Sequence, residues 1–206
     1  MDWYKLEYDC ETYEDVFAYA TNLEWRGNAK RPSSKVQWAA FPSHLLKDSI
    51  LKRLREFCSG MWLMRMEPRS LFREHMDAER FCGLHLCLHK SESCTFILEP
   101  DVYMDSEEAK QFRMSEYSSV RDAEEYRRSM KTPWKYIDNS CASFEEPIYE
   151  PGGLYLLNTS KGHGVLNYSY KPRYNGFFTI SKLLKYEDAR ELLKSLIADE
   201  FNTKEI

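Results

Sequence analysis

The sequence lacks the features that mark membrane and secreted proteins. No apolar stretch approaches the ~20 residues that a helix needs to cross a bilayer. The chain starts with the acidic, aromatic segment Met1-Asp2-Trp3-Tyr4, whereas a secretory signal peptide has a basic and then an apolar start. The six cysteines form no Cys-x-x-Cys pair, so we expect reduced thiols. These observations together predict a cytoplasmic protein that does not contact membranes.

A strong excess of charge is also lacking. The formal net charge of −4 gives no general electrostatic attraction to nucleic acid or to anionic lipid, so we expect no general nucleic-acid binding. With 206 residues the chain is long enough for one well-buried domain with elaborations. Composition therefore agrees with a globular enzyme, and the specific signals have to come from individual residues.

The most informative residues are two histidines and an aspartate with the spacing of metal ligands. His75 and Asp77 are two positions apart, so in an extended strand both side chains leave on one face, ~6–7 Å apart along the backbone. His163 follows 86 residues after Asp77 and completes a set of two imidazoles and one carboxylate. Such a set holds Fe(II) on one face and leaves open positions for a co-substrate and oxygen. Ten residues later comes Arg173, whose planar guanidinium suits a carboxylate.

Because His-x-Asp is short enough to occur by chance, the segments on both sides of it have to be considered as well. Residues 61–66 form a strand-like run that leads into a turn-like Glu67-Pro68-Arg69-Ser70, and residues 81–88 form another strand-like run. His163 and Arg173 are bracketed by strand-like runs as well. This context favours a metal site in a β-rich protein.

From residue 63 to residue 180 the sequence resembles the aspartyl/asparaginyl β-hydroxylase-like branch of the Fe(II)/2-oxoglutarate-dependent oxygenases. The resemblance rests on the order of its landmarks, which are Leu63-Met64-Arg65-Met66-Glu67-Pro68, His75-Met76-Asp77, Leu84-His85-Leu86, the run from Gly153 to Ser160 before His163, Val165-Leu166-Asn167 and Arg173. One position departs from the branch, because an arginine that is common two residues before the histidine of Leu-His-Leu is Gly83 here.

The resemblance implies a mainly β fold with flanking helices, built on a double-stranded β-helix (a jelly-roll, cupin-like barrel). It implies a dioxygenase that uses Fe(II), 2-oxoglutarate and O2 and releases succinate and CO2. It also implies that His75, Asp77 and His163 bind the iron. Arg173 would bind the far carboxylate of 2-oxoglutarate, and His85 would contact the same co-substrate.

The chain divides into a single oxygenase domain with four parts. Residues 1–60 are expected to be N-terminal support, with a short helix over 13–19 and an amphipathic helix from Ser43 to Cys58. Residues 61–99 and 148–182 are predicted to form the jelly-roll core. Residues 100–147 are predicted to be an inserted helical segment, interpreted either as a lid over the iron or as a solvated decoration or dimer contact. Residues 183–206 are predicted to contain a C-terminal helix over 186–201.

Alternation along residues 81–90 separates the leucines from the histidines. Leu84, Leu86 and Leu88 share one face of the predicted strand, and His85 and His89 share the other. If the leucines pack against the hydrophobic layer, His85 points into the barrel, where it is either a co-substrate contact or a histidine satisfied by a neighbouring hydroxyl. His89 borders a turn and is expected to be exposed.

The resemblance favours an amino-acid side chain as substrate, with hydroxylation of Asp, Asn or Pro, either free or in a peptide. One alternative is an oxygenase that acts on another small metabolite or a nucleotide. A rival of a different class is a non-catalytic jelly-roll module that retains a metal for structure. Arg173 discriminates between these, because a structural metal site has no need of a cation that binds a carboxylate.

Overall fold

The fold is described from a computed structural model of the chain. It covers residues 3–25, 36–47, 49–75, 81–90, 93–99, 143–145, 149–159, 163–167, 169–181 and 184–204. For residues 49, 71–75, 93–99, 143–145, 166 and 200–204 it describes the backbone. The predicted residue Asp77 and most of the predicted insertion, 100–142 and 146–147, lie outside these ranges.

Two antiparallel sheets form the body of the protein, as the jelly-roll prediction requires. In chain order the strands are β1 (Trp3–Asp9), β2 (Val36–Ala40), β3 (Cys58–Met66), β4 (Ser70–His75), β5 (Cys82–Cys87), β6 (Ser93–Glu99), β7 (Ser143–Glu145), β8 (Gly153–Asn158), β9 (His163–Asn167) and β10 (Arg173–Ile180). The larger sheet has the order β1-β8-β5-β10-β3-β2, and the smaller sheet has the order β4-β9-β6-β7. Both β1 and β2 belong to the larger sheet, so its strands begin well before residue 61.

In the ranges given above, the α-helices are α1 (Tyr13–Asn22), α2 (Ser49–Leu54) and α3 (Tyr186–Lys204), and they cover the outer face of the larger sheet. The main hydrophobic core joins their apolar residues to Leu84, Leu86 and Leu88 and to leucines of β8. The alternation predicted for residues 81–90 is therefore confirmed as far as Leu88: the leucines face the helices, and His85 faces the opposite side of the sheet. The prediction that His89 shares the face of His85 is wrong, because the strand ends at Cys87 and the His89 ring stacks on Phe17 of α1. Of the helices in the described ranges, none combines the length and the apolar character that a bilayer crossing requires.

A second, smaller core lies between the two sheets. Val36, Met64 and Met66 from the inner face of the larger sheet cluster with Val165 from β9 of the smaller sheet. All four side chains are at most 4% exposed. The two sheets thus pack face to face, and the inner faces of β3, β5, β8, β9 and β10 line the interior in which the candidate site lies.

The predicted helix from Ser43 to Cys58 is wrong as a continuous element. A 3₁₀ turn at Ser43–Leu45 ends at Leu46, whose backbone is extended (φ −67°, ψ 104°), before α2 begins. At the other end, Cys58 already pairs with Ile180 of β10, so sheet hydrogen bonds replace helical ones. The apolar spacing was interpreted correctly, since Leu46, Ile50 and Leu54 are all buried.

The helices at the two ends of the chain are confirmed. The predicted helix 13–19 is α1, which continues to Asn22, and the predicted helix 186–201 is α3, which continues to Lys204. The prediction that residues 100–147 are helical is wrong for their last part, because Ser143–Glu145 is strand β7 paired with β6. Backbone hydrogen bonding along a strand edge determines this element, whereas the charge pattern that suggested helices carries no information on strand pairing.

Candidate active site

The smaller sheet places the two candidate histidine ligands directly opposite each other. His75 is the last residue of β4, His163 is the first residue of β9, and their Cα atoms are partners in the antiparallel pairing. The register of the two strands shifts between Phe72 and His75, as at a β-bulge. Residues in such opposed positions have Cβ atoms about 4.5–5.5 Å apart. His163 is only 6% exposed, so its imidazole lies in the barrel rather than on the surface.

Hydrogen bonds of Asn167, at the other end of β9, show which end of the barrel is closed. The buried Asn167 amide donates to the carbonyl oxygen of Glu67 (3.0 Å) and to that of Lys171 (3.0 Å), and its own oxygen accepts from the Ser169 amide (3.2 Å). These bonds tie the β3–β4 and β9–β10 connections together and close this end of the barrel. His163, four residues away along β9, therefore lies toward the opposite end.

Arg173 lies deep in the interior near the closed end. It is the first residue of β10, is 2% exposed, and is the Cα partner of Met66. Its Nη2 donates to the side-chain oxygen of Asn175 (3.0 Å) when that amide is oriented with its oxygen toward the guanidinium. Its guanidinium carbon is 5.1 Å from the centroid of the Tyr149 ring, a cation–π contact. Arg173 is therefore a buried cation and not a surface residue after a turn.

Tyr149 connects Arg173 with His85, the other predicted co-substrate residue. The Tyr149 hydroxyl is 3.4 Å from His85 Nδ1, and His85 is 7% exposed in the middle of β5. Tyr149 also packs edge-on against Tyr155, with ring centroids 4.3 Å apart. The sequence reasoning missed Tyr149. Its position just before the Pro151-Gly152 turn gives no sign that its ring reaches across the sheet.

Burial keeps two titratable neighbours of Arg173 neutral near pH 7. It raises the pKa of the Cys87 thiol to about 11, although the Arg173 charge opposes part of that rise. Burial also lowers the pKa of His89, and the charges of Arg173 and Lys171 lower it further. The expectation that His89 is exposed is wrong, because its ring stacks on Phe17 with centroids 4.8 Å apart.

The space at Gly83 is filled by a neighbouring ring. A Cβ at this position would be 2.9 Å from the Phe177 ring, which in turn lies edge-on to His85 with centroids 4.9 Å apart. An arginine of the kind common in the hydroxylase-like branch would therefore collide with Phe177. This departure from the branch has a structural counterpart, since the aromatic ring takes the volume that the side chain would need.

Among the side chains that the structure describes, no group of three or more His, Cys, Asp and Glu could hold a metal ion. The predicted iron ligands include His75, of which the backbone is described, and Asp77, which is outside the described ranges. What the described residues contribute is the opposed position of His75 and His163. The donor chemistry of two imidazoles with one carboxylate fits Fe(II), and the buried Arg173 fits a carboxylate-bearing co-substrate.

No protein-family model and no curated protein matches this chain. Solved structures with a similar fold include HygX from Streptomyces hygroscopicus with nickel and 2-oxoglutarate bound, at 10% identity and a TM-score of 0.53, covering 86% of this chain and 81% of HygX. They also include the epimerase SnoN in complex with Fe3+, alpha-ketoglutarate and nogalamycin RO, at 10% identity and a TM-score of 0.51, covering 89% of this chain and 83% of SnoN. A 2OG-Fe(II) oxygenase family oxidoreductase from Burkholderia pseudomallei has 11% identity and a TM-score of 0.50, covering 88% of this chain and 84% of that chain.

These likenesses show the fold: the chain has the jelly-roll fold found in the Fe(II)/2-oxoglutarate oxygenases. They do not single out the aspartyl/asparaginyl hydroxylase-like branch, since neither HygX nor SnoN is described as an aspartyl or asparaginyl hydroxylase. The jelly-roll fold expected from the sequence is thus confirmed.

Proposed function

We propose that the protein is an Fe(II)- and 2-oxoglutarate-dependent dioxygenase. The observation that carries this proposal is the opposed pair His75 and His163, with the buried Arg173 on the next strand of the chain. His75, Asp77 and His163 would hold Fe(II), and Arg173 would bind the far carboxylate of 2-oxoglutarate. When bound, iron with 2-oxoglutarate and O2 supplies an oxidative decarboxylation, with release of succinate and CO2, that is coupled to hydroxylation of a C–H bond.

The interior residues would orient the co-substrate and exclude water from it. Arg173 presents a forked donor in a region from which solvent is largely excluded, where a charge-assisted contact is strong. His85 is aligned by the Tyr149 hydroxyl and by the edge of Phe177, so its ring has a fixed orientation toward the barrel interior. With His89 and Cys87 neutral, the guanidinium charge near the closed end is complementary to one carboxylate.

Two substrate classes have separate support. The sequence resemblance favours an amino-acid side chain (Asp, Asn or Pro, free or peptidyl). A different small molecule is supported by structures of similar fold, since HygX has been solved with nickel, 2-oxoglutarate and hygromycin B bound, at a TM-score of 0.50, and SnoN with nogalamycin RO. The rival of a non-catalytic metal-binding module is disfavoured by the burial of Arg173 in the same interior.

The test is an anaerobic titration with Fe(II), followed by 2-oxoglutarate. We expect one iron per chain and then a weak visible charge-transfer band when the co-substrate is added. His163→Ala should lose the iron, whereas His44→Ala, which changes a histidine on the exposed 3₁₀ turn, should bind it normally. Normal iron binding and 2-oxoglutarate turnover in His163→Ala would refute the proposed site.

A further inference from the structure

Two tryptophans on the inner face of the larger sheet remain exposed in the folded chain. Trp38 of β2 is 37% exposed and Trp62 of β3 is 44% exposed. Aromatic side chains of this size bury 150–250 Å² when they enter a core, about as much apolar surface as any residue provides. Contiguous exposed apolar surface is common at sites where a protein binds another molecule.

Ring contacts place these tryptophans beside the candidate site. Trp38 lies edge-on to Phe177, with centroids 5.8 Å apart and an interplanar angle of 75°, and Phe177 lies edge-on to His85. Trp62 is the Cα partner of Phe177 in the pairing of β3 with β10. We call Trp38, Trp62 and Phe177 the aromatic shelf.

The conformation of Trp62 depends on a glycine on the same face. A Cβ at Gly60 would be 2.7 Å from the indole Nε1 of Trp62, closer than any real contact allows. Because residue 60 has no side chain, the indole lies over the backbone of β3. Gly60 therefore positions Trp62, and it offers a way to displace the indole without removing it.

Strand register puts the aromatic shelf at the level of His163. At the closed end, Asn167 of β9 donates to Glu67 just after β3, and Val165 packs with Met64 and Met66. His163 is two residues beyond Val165 in the direction away from the closed end, just as Trp62 is two residues beyond Met64. Since facing sheets lie about 10 Å apart, the shelf and His163 face each other across one gap.

We propose that the aromatic shelf binds a ring of the substrate, so that the substrate is a ring-bearing small molecule whose flat face stacks on the indoles. The proposal rests on the function proposed above. A short carboxylate or amide side chain would gain little from indole faces, which offer few hydrogen-bond donors. A ring buries its whole face against the indoles, and a planar aromatic ring adds a ring–ring contact. Saturated sugar rings and planar aromatic rings share the burial of one apolar face.

The test observes the indole Nε1–H signals of the five tryptophans by NMR in metal-free protein. Trp38→Phe and Trp62→Phe assign the two signals of interest. The probes are hygromycin B for saturated rings, 2-naphthol for a planar ring and N-acetyl-aspartyl amide as a ringless substrate mimic. We expect at least one ring probe to shift Trp38 and Trp62 more than Trp3 and Trp25. Shifts from the ringless probe alone, or no selective shift from any probe, would overturn the proposal.

Three variants make the result specific. Gly60→Ala should displace the Trp62 indole and weaken binding of the active ring probe by about threefold to tenfold. Trp25→Phe is the matched control, because Trp25 packs on Tyr174 at the outer face of the sheet and should not affect binding. Equal affinity in the wild type and in Gly60→Ala and Trp62→Ala would overturn the assignment.

A paramagnetic arm separates this proposal from the proposed function. Mn(II) as the probe should broaden the signals of Trp38 and Trp62 more than that of Trp25, and His163→Ala should abolish the broadening. Absence of any broadening, with ring binding intact, would refute the metal site and leave the aromatic shelf standing as a ligand site. Broadening without selective ring binding would refute the shelf and leave the oxygenase proposal in place.

Discussion

Replacement of Arg173 tests whether this barrel binds a carboxylate-bearing co-substrate. Two variants separate the features of the side chain: Arg173→Met keeps an apolar stem and removes the charge, and Arg173→Lys keeps the charge and removes the fork. The native guanidinium is 2% exposed, faces the Tyr149 ring, and donates to Asn175. Iron affinity should be unchanged in both variants, because Arg173 is not among the proposed ligands.

The expected magnitude follows from a hydrogen bond to a charged group. Such a bond contributes about 1.5–3 kcal/mol, and each ~1.4 kcal/mol corresponds to a tenfold change in Kd. Arg173→Met should therefore weaken 2-oxoglutarate binding by about 10- to 100-fold. Arg173→Lys should recover part of that loss, since a point charge attracts the carboxylate but cannot make two parallel bonds.

Thermal unfolding gives a readout that does not depend on turnover. Without co-substrate, Arg173→Met should be about as stable as the wild type or more stable, because an apolar residue of similar volume avoids the cost of a buried charge. Adding 2-oxoglutarate to the iron-loaded wild type should raise Tm by mass action, and the same addition should have little effect on Arg173→Met. Overlapping 2-oxoglutarate binding curves for the three proteins would refute the reasoning and favour a metal-binding module.

Three further predictions concern residues around the site. Gly83→Ala should lower the free energy of unfolding by about 1–3 kcal/mol in denaturant titrations, because its methyl group overpacks against Phe177, and Phe177→Leu in the same chain should restore part of it. Asn167→Asp should cost more than about 3 kcal/mol, since a carboxylate cannot donate to the carbonyl oxygens that the buried amide contacts; a loss under about 1 kcal/mol would contradict this. The lowered pKa of His89 means that the unfolded chain takes up a proton first as pH falls below about 6.5. The wild type should therefore lose stability between pH 7.5 and about pH 5.5 more steeply than His89→Gln, and parallel losses would show that His89 does not contribute.

Local periodicity predicted the elements that are buried on one side. In β5 the leucines and the histidine alternate, and the core accepts the leucines while His85 faces the barrel. The apolar spacing of α3 likewise matches its buried residues Ala189, Leu193 and Leu196. In both cases one face meets a hydrophobic layer, so the pattern that burial requires is visible in the sequence itself.

The same pattern did not predict where the chain bends. Leu46, Ile50 and Leu54 have helical spacing and are buried, but the chain turns at Leu46 and α2 has only six residues. A bend changes the direction of the chain without changing which residues are apolar. The end of the helical segment before Cys58 has a non-local cause, because β3 takes its hydrogen bonds from β10, more than a hundred residues further along.

The candidate site was predictable in its residue types and not in its register. The two histidines can be proposed as metal ligands from their residue type and spacing, but no local pattern shows that His75 and His163 are opposed across β4 and β9. Tyr149 is a second residue whose position depends on strand pairing that the sequence does not reveal. Its link between His85 and Arg173 exists because β8 pairs with β5 and β5 with β10, which brings three distant stretches of chain to one place.

Gly83 connects the departure from the hydroxylase-like branch with the character of the proposed substrate site. Because residue 83 is a glycine, the Phe177 ring has the volume that it occupies. Phe177 in turn makes an edge-on ring contact with Trp38. A second glycine, Gly60, leaves the space over which the Trp62 indole lies. The absence of side chains at these two glycines on the inner face of one sheet thus permits an apolar, aromatic wall that faces His163. If an arginine replaced Gly83, the ring of Phe177 would have to move and Trp38 would lose its support. An arginine at residue 83 would therefore change the wall that a substrate would meet, without altering the proposed iron ligands or Arg173.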